Sequence, residues 1–125
     1  MIRRTRAMFL KVLRAKIHRA TITEASVDYV GSITIDRDLI DAAGIGLNEC
    51  VLVADLSNGR RFETYVMEAP RGSGTICING AAANLVVVGD LVIIMSFGYV
   101  DESEAPSVKP RIILVDERNH PVRQL

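Results

Sequence analysis

Glu49-Cys50-Val51-Leu52-Val53-Ala54-Asp55-Leu56-Ser57-Asn58-Gly59-Arg60-Arg61-Phe62-Glu63-Thr64-Tyr65-Val66-Met67 has the form of an antiparallel hairpin. Glu49 to Leu56 is apolar and β-branched, Ser57-Asn58-Gly59 supplies the turn, and Arg61 to Met67 returns. With a period of two, Arg61, Glu63 and Tyr65 share one face of the returning strand and Thr64 points to the other. A solvated face with an Arg61–Glu63 ion pair is the ordinary content of such a strand; a fixed cation beside a phenol is the functional alternative.

Working outward toward the N-terminus, Asp36 suits the cap of a brief helix, Arg37 to Ala43, stopped by Gly44. Ser32 to Ile35 is a short strand, and Glu24 to Asp28 a loop. Met8 to Thr23 alternates as one long strand, with Leu13, Ala15 and Ile17 on one side and Arg14, Lys16 and His18 on the other. Toward the C-terminus, Arg71-Gly72-Ser73-Gly74 is a flexible turn, Thr75 to Ile78 a short strand, and Asn79-Gly80 a turn leading to a helical turn over Ala81 to Asn84. Gly89-Asp90 introduces a buried strand, Leu91 to Phe97. Asp101 to Ala105 suits a helical turn, Arg111 to Val115 a last strand, and the polar stretch beyond Asp116, with Pro121, a frayed tail. Many short strands with regularly spaced turns predict a mainly β chain, either a closed barrel or a sandwich.

A chain of 125 residues that is 49% hydrophobic can bury one sizeable core, so a single domain over residues 1–125 is expected. Fifteen basic residues balance fifteen acidic ones, which leaves no basic field for nucleic acid. Cys50 and Cys77 stand apart with no ligand spacing, so neither a disulfide framework nor a metal site is expected, and both are read as buried thiols. Residues 1–7 form an extension without the apolar core of a signal sequence, and the Leu85–Met95 run is too short to span a membrane. These features predict a cytoplasmic chain with no membrane partner.

Gly31-Ser32 carries the most specific chemistry. A glycine carbonyl is unhindered, and the serine hydroxyl next to it is within reach for attack on its own backbone. In isolation the dipeptide is an ordinary turn entering a strand.

Taken together, Lys16-Ile17-His18-Arg19-Ala20, Tyr29-Val30-Gly31-Ser32, Asp41-Ala42-Ala43-Gly44, Asn58-Gly59-Arg60-Arg61-Phe62-Glu63-Thr64-Tyr65, Arg71-Gly72-Ser73-Gly74 and Asn79-Gly80-Ala81-Ala82-Ala83 resemble the bacterial pyruvoyl-dependent aspartate 1-decarboxylases. The resemblance runs from about Met8 to near Asp116. It implies a six-stranded double-psi β-barrel with short helices, assembled as a homotetramer with sites between subunits. It further implies cleavage between Gly31 and Ser32, giving a β chain of residues 1–31 and an α chain of residues 32–125. The cofactor is then a pyruvoyl group derived from Ser32, and no external cofactor is needed. Its ketone forms a Schiff base with L-aspartate and accepts the electrons released with CO2, leaving β-alanine for pantothenate and coenzyme A synthesis.

Residue roles follow from the same resemblance. Arg61 holds the side-chain carboxylate, because a clamp on the departing one would oppose its loss. Tyr65 returns the proton, since a phenol stays protonated at neutral pH. Lys16 adds positive potential, and Asn79 with the backbone of Gly80, Ala81 and Ala82 forms the binding loop. Thr64 polarises the Gly31 carbonyl for cleavage, with His18 and Tyr29 near the processing site. Because Thr64 points away from Tyr65, one site can use both only if the strand bulges or ends there, or if subunits share the site. Asn84 stands where the family often has histidine. A maturation factor stays open as a partner. A non-catalytic barrel module and a pyruvoyl decarboxylase for another amino acid are the rival readings.

Overall fold

The computed structural model describes residues 7–125; the extension expected over residues 1–7 lies, apart from Ala7, outside them. Nine strands form the framework: β1 (Phe9–Thr21), β2 (Glu24–Ser26), β3 (Ser32–Asp36), β4 (Cys50–Asp55), β5 (Arg61–Ala69), β6 (Ile76–Asn79), β7 (Leu91–Asp101), β8 (Arg111–Val115) and β9 (Pro121–Gln124). They are hydrogen-bonded in the order β2-β6-β3-β5-β4-β7-β1-β8-β9. The mainly β expectation holds, but the count is nine rather than six. The excess includes β2 and β9, strands of three and four residues at the two ends of that order, too short to announce themselves by periodicity.

The hairpin forms as read, in continuous register from Cys50 opposite Tyr65 to Ala54 opposite Arg61. Beyond Tyr65, β5 changes partner: Val66 to Ala69 pair in parallel with Ile33 to Asp36 of β3. One strand therefore joins the ladder of β4, β7 and β1 to that of β3 and β6. The inner face is lined by fully buried Ile17, Ile33, Ile35, Val53, Val66, Ile76, Ile78 and Ile94, which with neighbouring residues form one apolar cluster.

β1 alternates with interruptions. Leu13 pairs with Phe97 and Ala15 with Ser96, so Arg14 is an extra residue and Leu13 lies on the Lys16 side, not with Ala15 and Ile17 as alternation alone predicts. Released from the ladder, Arg14 reaches the Gly44 carbonyl at 2.9 Å and both carboxylate oxygens of Glu49. A second irregularity follows His18, where Arg19 takes φ 64°.

The helix α1 (Arg37–Ala43) has the expected boundaries. Asp36 accepts from the Asp38 N–H at 2.8 Å, and Gly44 closes the helix at φ 71°, where a side chain would be strained and would meet Arg111. The remaining Asp36 acceptor capacity takes the N–H groups of Gly72 (3.1 Å) and Gly74 (2.9 Å), so the turn over 71–74 is pinned rather than flexible.

Four further expectations are corrected. Glu24–Asp28 is not all loop, because β2 pairs in parallel with β6 there. The helical turn expected over Asp101–Ala105 falls at Ala105–Ser107, started by Pro106. The tail is not frayed: Asn119, 1% exposed, bonds the backbone of Thr21 and Gly74, and β9 pairs with β8. Finally, Cys77 is buried, but Cys50 is exposed on the outer side of β4.

Candidate active site

Ser32 opens β3 directly opposite Asn79, the last residue of β6. Both lie on the side of the sheet opposite Ile33 and Ile78, with Thr34 and Cys77 one step along. The Asn79 amide donates from Nδ2 to Ser32 Oγ at 3.0 Å and to Thr34 Oγ1 at 3.0 Å. Ser32 is only 6% exposed, whereas Gly31 before it is exposed and Tyr29 and Val30 are largely in solvent. The hydroxyl is thus fixed beside an exposed glycine.

After Asn79 the chain turns at Gly80, φ 79°, into a short 3-10 helix (Gly80–Leu85). A Cβ on Gly80 would stand 2.6 Å from Gly31 Cα, 2.9 Å from Gly31 N and 3.2 Å from the Tyr29 carbonyl. Only glycine permits this approach, which presses one backbone against the Gly31-Ser32 junction. Ala81 is exposed and Ala82 packs half-buried against the core.

Tyr65 joins this group through register. Since the parallel ladder begins with Ile33 paired to Val66, Ser32 and Tyr65 are the residues immediately before its first pair, and by alternation both face the outer side. No register shift interrupts β4 and β5, so the bulge that could turn Thr64 toward Tyr65 is absent. Thr64 pairs with buried Val51 and lies inward with Phe62 and Val66.

Arg61 and Lys16 stand apart from Ser32 within the chain. Arg61, exposed, is four residues before Tyr65, about 13 Å along an extended strand. It lines a cavity of about 190 Å³ with Ala54, Asp55, Leu56, Gly59 and Ile93. In that cavity, burial and a neighbouring Asp90 carboxyl push the Asp55 carboxyl up. Lys16 and His18 share the same outer face on β1. The pairings His18–Ile93, Ile93–Ala54 and Ala54–Arg61 form one row across four strands, and Lys16–Met95, Met95–Leu52 and Leu52–Glu63 the next. Three interstrand gaps put His18 about 14 Å from Arg61. Burial, then Lys16 and Arg19, hold the His18 imidazole below its ordinary pKa, and its Nδ1 is buried without a hydrogen-bond partner. Sequence reasoning therefore named residues that fall into two groups: Gly31, Ser32, Tyr65, Asn79 and Gly80 together, and Lys16, His18 and Arg61 on an exposed face beside them.

The contacts from Thr34 and Cys77 escaped the sequence reading. Cys77 donates its S–H to Asn79 Oδ1 at 3.2 Å, and burial first, then Glu24, raises its pKa. Isolated residues on a short strand gave no signal for either. No group of three or more metal-ligating side chains occurs among the described residues.

A family model for aspartate decarboxylase matches residues 8–122, which includes every residue of both groups. The chain belongs to the aspartate decarboxylase family. Among curated proteins it is 59% identical to an aspartate 1-decarboxylase of Acetivibrio thermocellus, over 90% of this chain and 89% of the relative. It is 58% identical to that of Caldicellulosiruptor bescii, over 93% and 91%, and 55% identical to that of Neisseria meningitidis, over 90% and 88%. The family resemblance seen in the sequence motifs extends through nearly the whole described chain.

Proposed function

We infer that the chain removes the α-carboxylate of L-aspartate as CO2 and leaves β-alanine, a precursor for pantothenate and coenzyme A, using a group made from its own Ser32. The carrying observation is the junction itself: Ser32 Oγ held by Asn79 at 3.0 Å beside a Gly31 that Gly80 crowds at its Cα. In maturation Ser32 Oγ bonds to the Gly31 carbonyl carbon, the peptide C–N bond breaks, and the hydroxyl proton passes to the Ser32 nitrogen. Loss of the Ser32 Cα proton and cleavage of its Cβ–Oγ bond then release residues 1–31 with a carboxylate at Gly31, and water displaces the nitrogen of the remaining enamine as ammonia to leave the pyruvoyl end of residues 32–125. The fit is good, because the two glycines give the backbone room and the Asn79 amide offers a donor where residue 32 carries its oxygen.

A pyruvoyl group at residue 32, held beside Asn79 and Gly80, would supply a ketone for the substrate amine and an electron sink for the pair left by departing CO2. The side chains bind and protonate around it. Arg61 forks onto the carboxylate that stays, and Lys16 draws in a dianionic substrate. Tyr65, beside residue 32 on the ladder, returns a proton to Cα. Asn79 and the Gly80, Ala81 and Ala82 segment bound the pocket, with His18 and Tyr29 close to the processing site and Thr64 assigned to the Gly31 carbonyl.

The unbulged run of β5 through Thr64 and Tyr65 supports a site to which two chains contribute, and the separation of Arg61 from Tyr65, about 13 Å along the strand, favours the same arrangement. A homotetramer with sites between neighbours, as the family resemblance implies, accommodates such sharing, and a cytoplasmic setting completes the reading. No helix of the described residues is long and apolar enough to cross a membrane.

Denaturing intact-mass measurement tests the cofactor, before and after warming and with a carbonyl-reactive hydrazine. Two fragments meeting at Gly31 and residue 32, the larger shifted by hydrazine, are expected. A single mass that persists with candidate maturation factors added would reject the pyruvoyl reading in favour of a binding module. CO2 release compared among aspartate, glutamate and histidine tests the substrate, with aspartate the preferred one.

A further inference from the structure

The Asn79 amide has two distinguishable ends, and its orientation decides what Ser32 can do. Ser32 and Thr34 do not settle it, because a hydroxyl accepts from an N–H as readily as it donates to a carbonyl. Cys77 breaks the tie by geometry: its buried Sγ lies 3.2 Å from Oδ1, and because sulfur is a poor acceptor the S–H facing an amide oxygen is the better pairing than Sγ facing the NH2 group. Donating to Oδ1 at 3.2 Å, it turns the Asn79 oxygen toward itself and the NH2 group toward Ser32 Oγ and Thr34 Oγ1.

We propose that Cys77 is a positioning residue for the Gly31-Ser32 cleavage: by fixing the Asn79 amide, with Thr34 as its second acceptor, it makes Ser32 Oγ an acceptor and leaves the Ser32 O–H free to leave. This rests on the self-cleavage reading above. In the fixed orientation the Asn79 N–H stabilises charge on Oγ while its proton transfers to the Ser32 nitrogen and the Oγ–C bond forms. With the amide reversed, the Ser32 hydroxyl would donate to Oδ1 and its proton would be held in place. Glu24, opposite Cys77 on β2, is the competing acceptor for the thiol and therefore enters the test.

Cleavage of freshly made precursor is followed by intact mass for the wild type, Cys77→Ser and Cys77→Ala. Cys77→Ser keeps a donor and is expected to cleave within about twofold of wild type, whereas Cys77→Ala is slowed about fivefold to tenfold, the worth of one net hydrogen bond. Equal rates for wild type and Cys77→Ala, or equal slowing by Ser and Ala, would overturn the proposal. A second measurement does not depend on how the Cys77 variants fold. In an uncut Ser32→Ala, Cys50→Ser precursor, the single S–H stretch should shift with Asn79→Ala and stay put with Glu24→Gln; the reverse would show the thiol spent on Glu24. If wild-type chain never cleaves, the self-cleavage reading fails, while the S–H spectrum still reports the contact on its own.

Discussion

On the proposed reading, Tyr65 and Arg61, two side chains on one strand face, would divide the work between proton return and substrate binding. Tyr65→Phe deletes only the phenolic oxygen, so the precursor is expected to cut normally while kcat falls about 100-fold and the KM for aspartate changes little. Turnover near wild type would show that another group or water returns the proton. Arg61→Ala removes the fork: KM is expected to rise about 10-fold to 100-fold, the scale of a charge-assisted pair, with cleavage again intact. An unchanged KM would reject Arg61 as the carboxylate clamp. The shared face of these two residues was legible, since a hairpin with a clear turn fixes the alternation of its return strand. The Asn79–Thr34 contact was not, because it depends on β3 meeting β6 across 45 residues, and periodicity within a short strand says nothing about its partner.

At the scale of elements, buried polar side chains set where the pieces meet. Asp36 is fully buried and accepts three backbone N–H groups, joining β3, the start of α1 and the turn over 71–74. Asp36→Ala leaves those donors unsatisfied and is expected to cost about 3 kcal/mol, read from the urea midpoint; a loss below about 0.5 kcal/mol would show that water replaces it. The cap residue and the helix end were visible in sequence. The attachment of the tail was not: Asn119 holds Thr21 from 98 positions away, and nothing in a polar stretch with a proline announces such a contact. The bulge at Arg14 likewise hides in a regular-looking alternation, and it shows only once Ser96 and Phe97 fix the opposing register.

For the whole molecule, the assembly is tested by mixing defects. On the proposed roles Ser32→Ala would lack the group made at residue 32 and Arg61→Ala the clamp, so at aspartate well below KM the first is expected to be inactive and the second to turn over about 10-fold to 100-fold less than wild type. Co-assembled chains should regain measurable turnover if a site draws Ser32 and Arg61 from different subunits, and regain none if one chain supplies both. Acid stability tests another global property. Burial would raise the Glu49 carboxyl, but Arg14, the Gly46 N–H and Ser96 outweigh it and hold the group below its ordinary value. That stabilisation is present above the ordinary carboxylate range and is lost as pH falls through the lowered folded value. Glu49→Gln should therefore lower Tm at neutral pH but show a shallower Tm loss toward about pH 3 than wild type; parallel curves would refute the assignment. The mainly β character was legible from turn spacing, whereas the strand count was not, since strands as short as β2 and β9 are created by their neighbours. β1 itself lies between β7 and β8 in the strand order, and it belongs entirely to residues 1–31. If the Gly31–Ser32 bond is cut as proposed, that strand becomes part of a separate peptide clasped on both edges. Denatured mature enzyme must then find its missing strand by collision, so recovery should depend on concentration, whereas uncut precursor regains its monomer fold at any dilution.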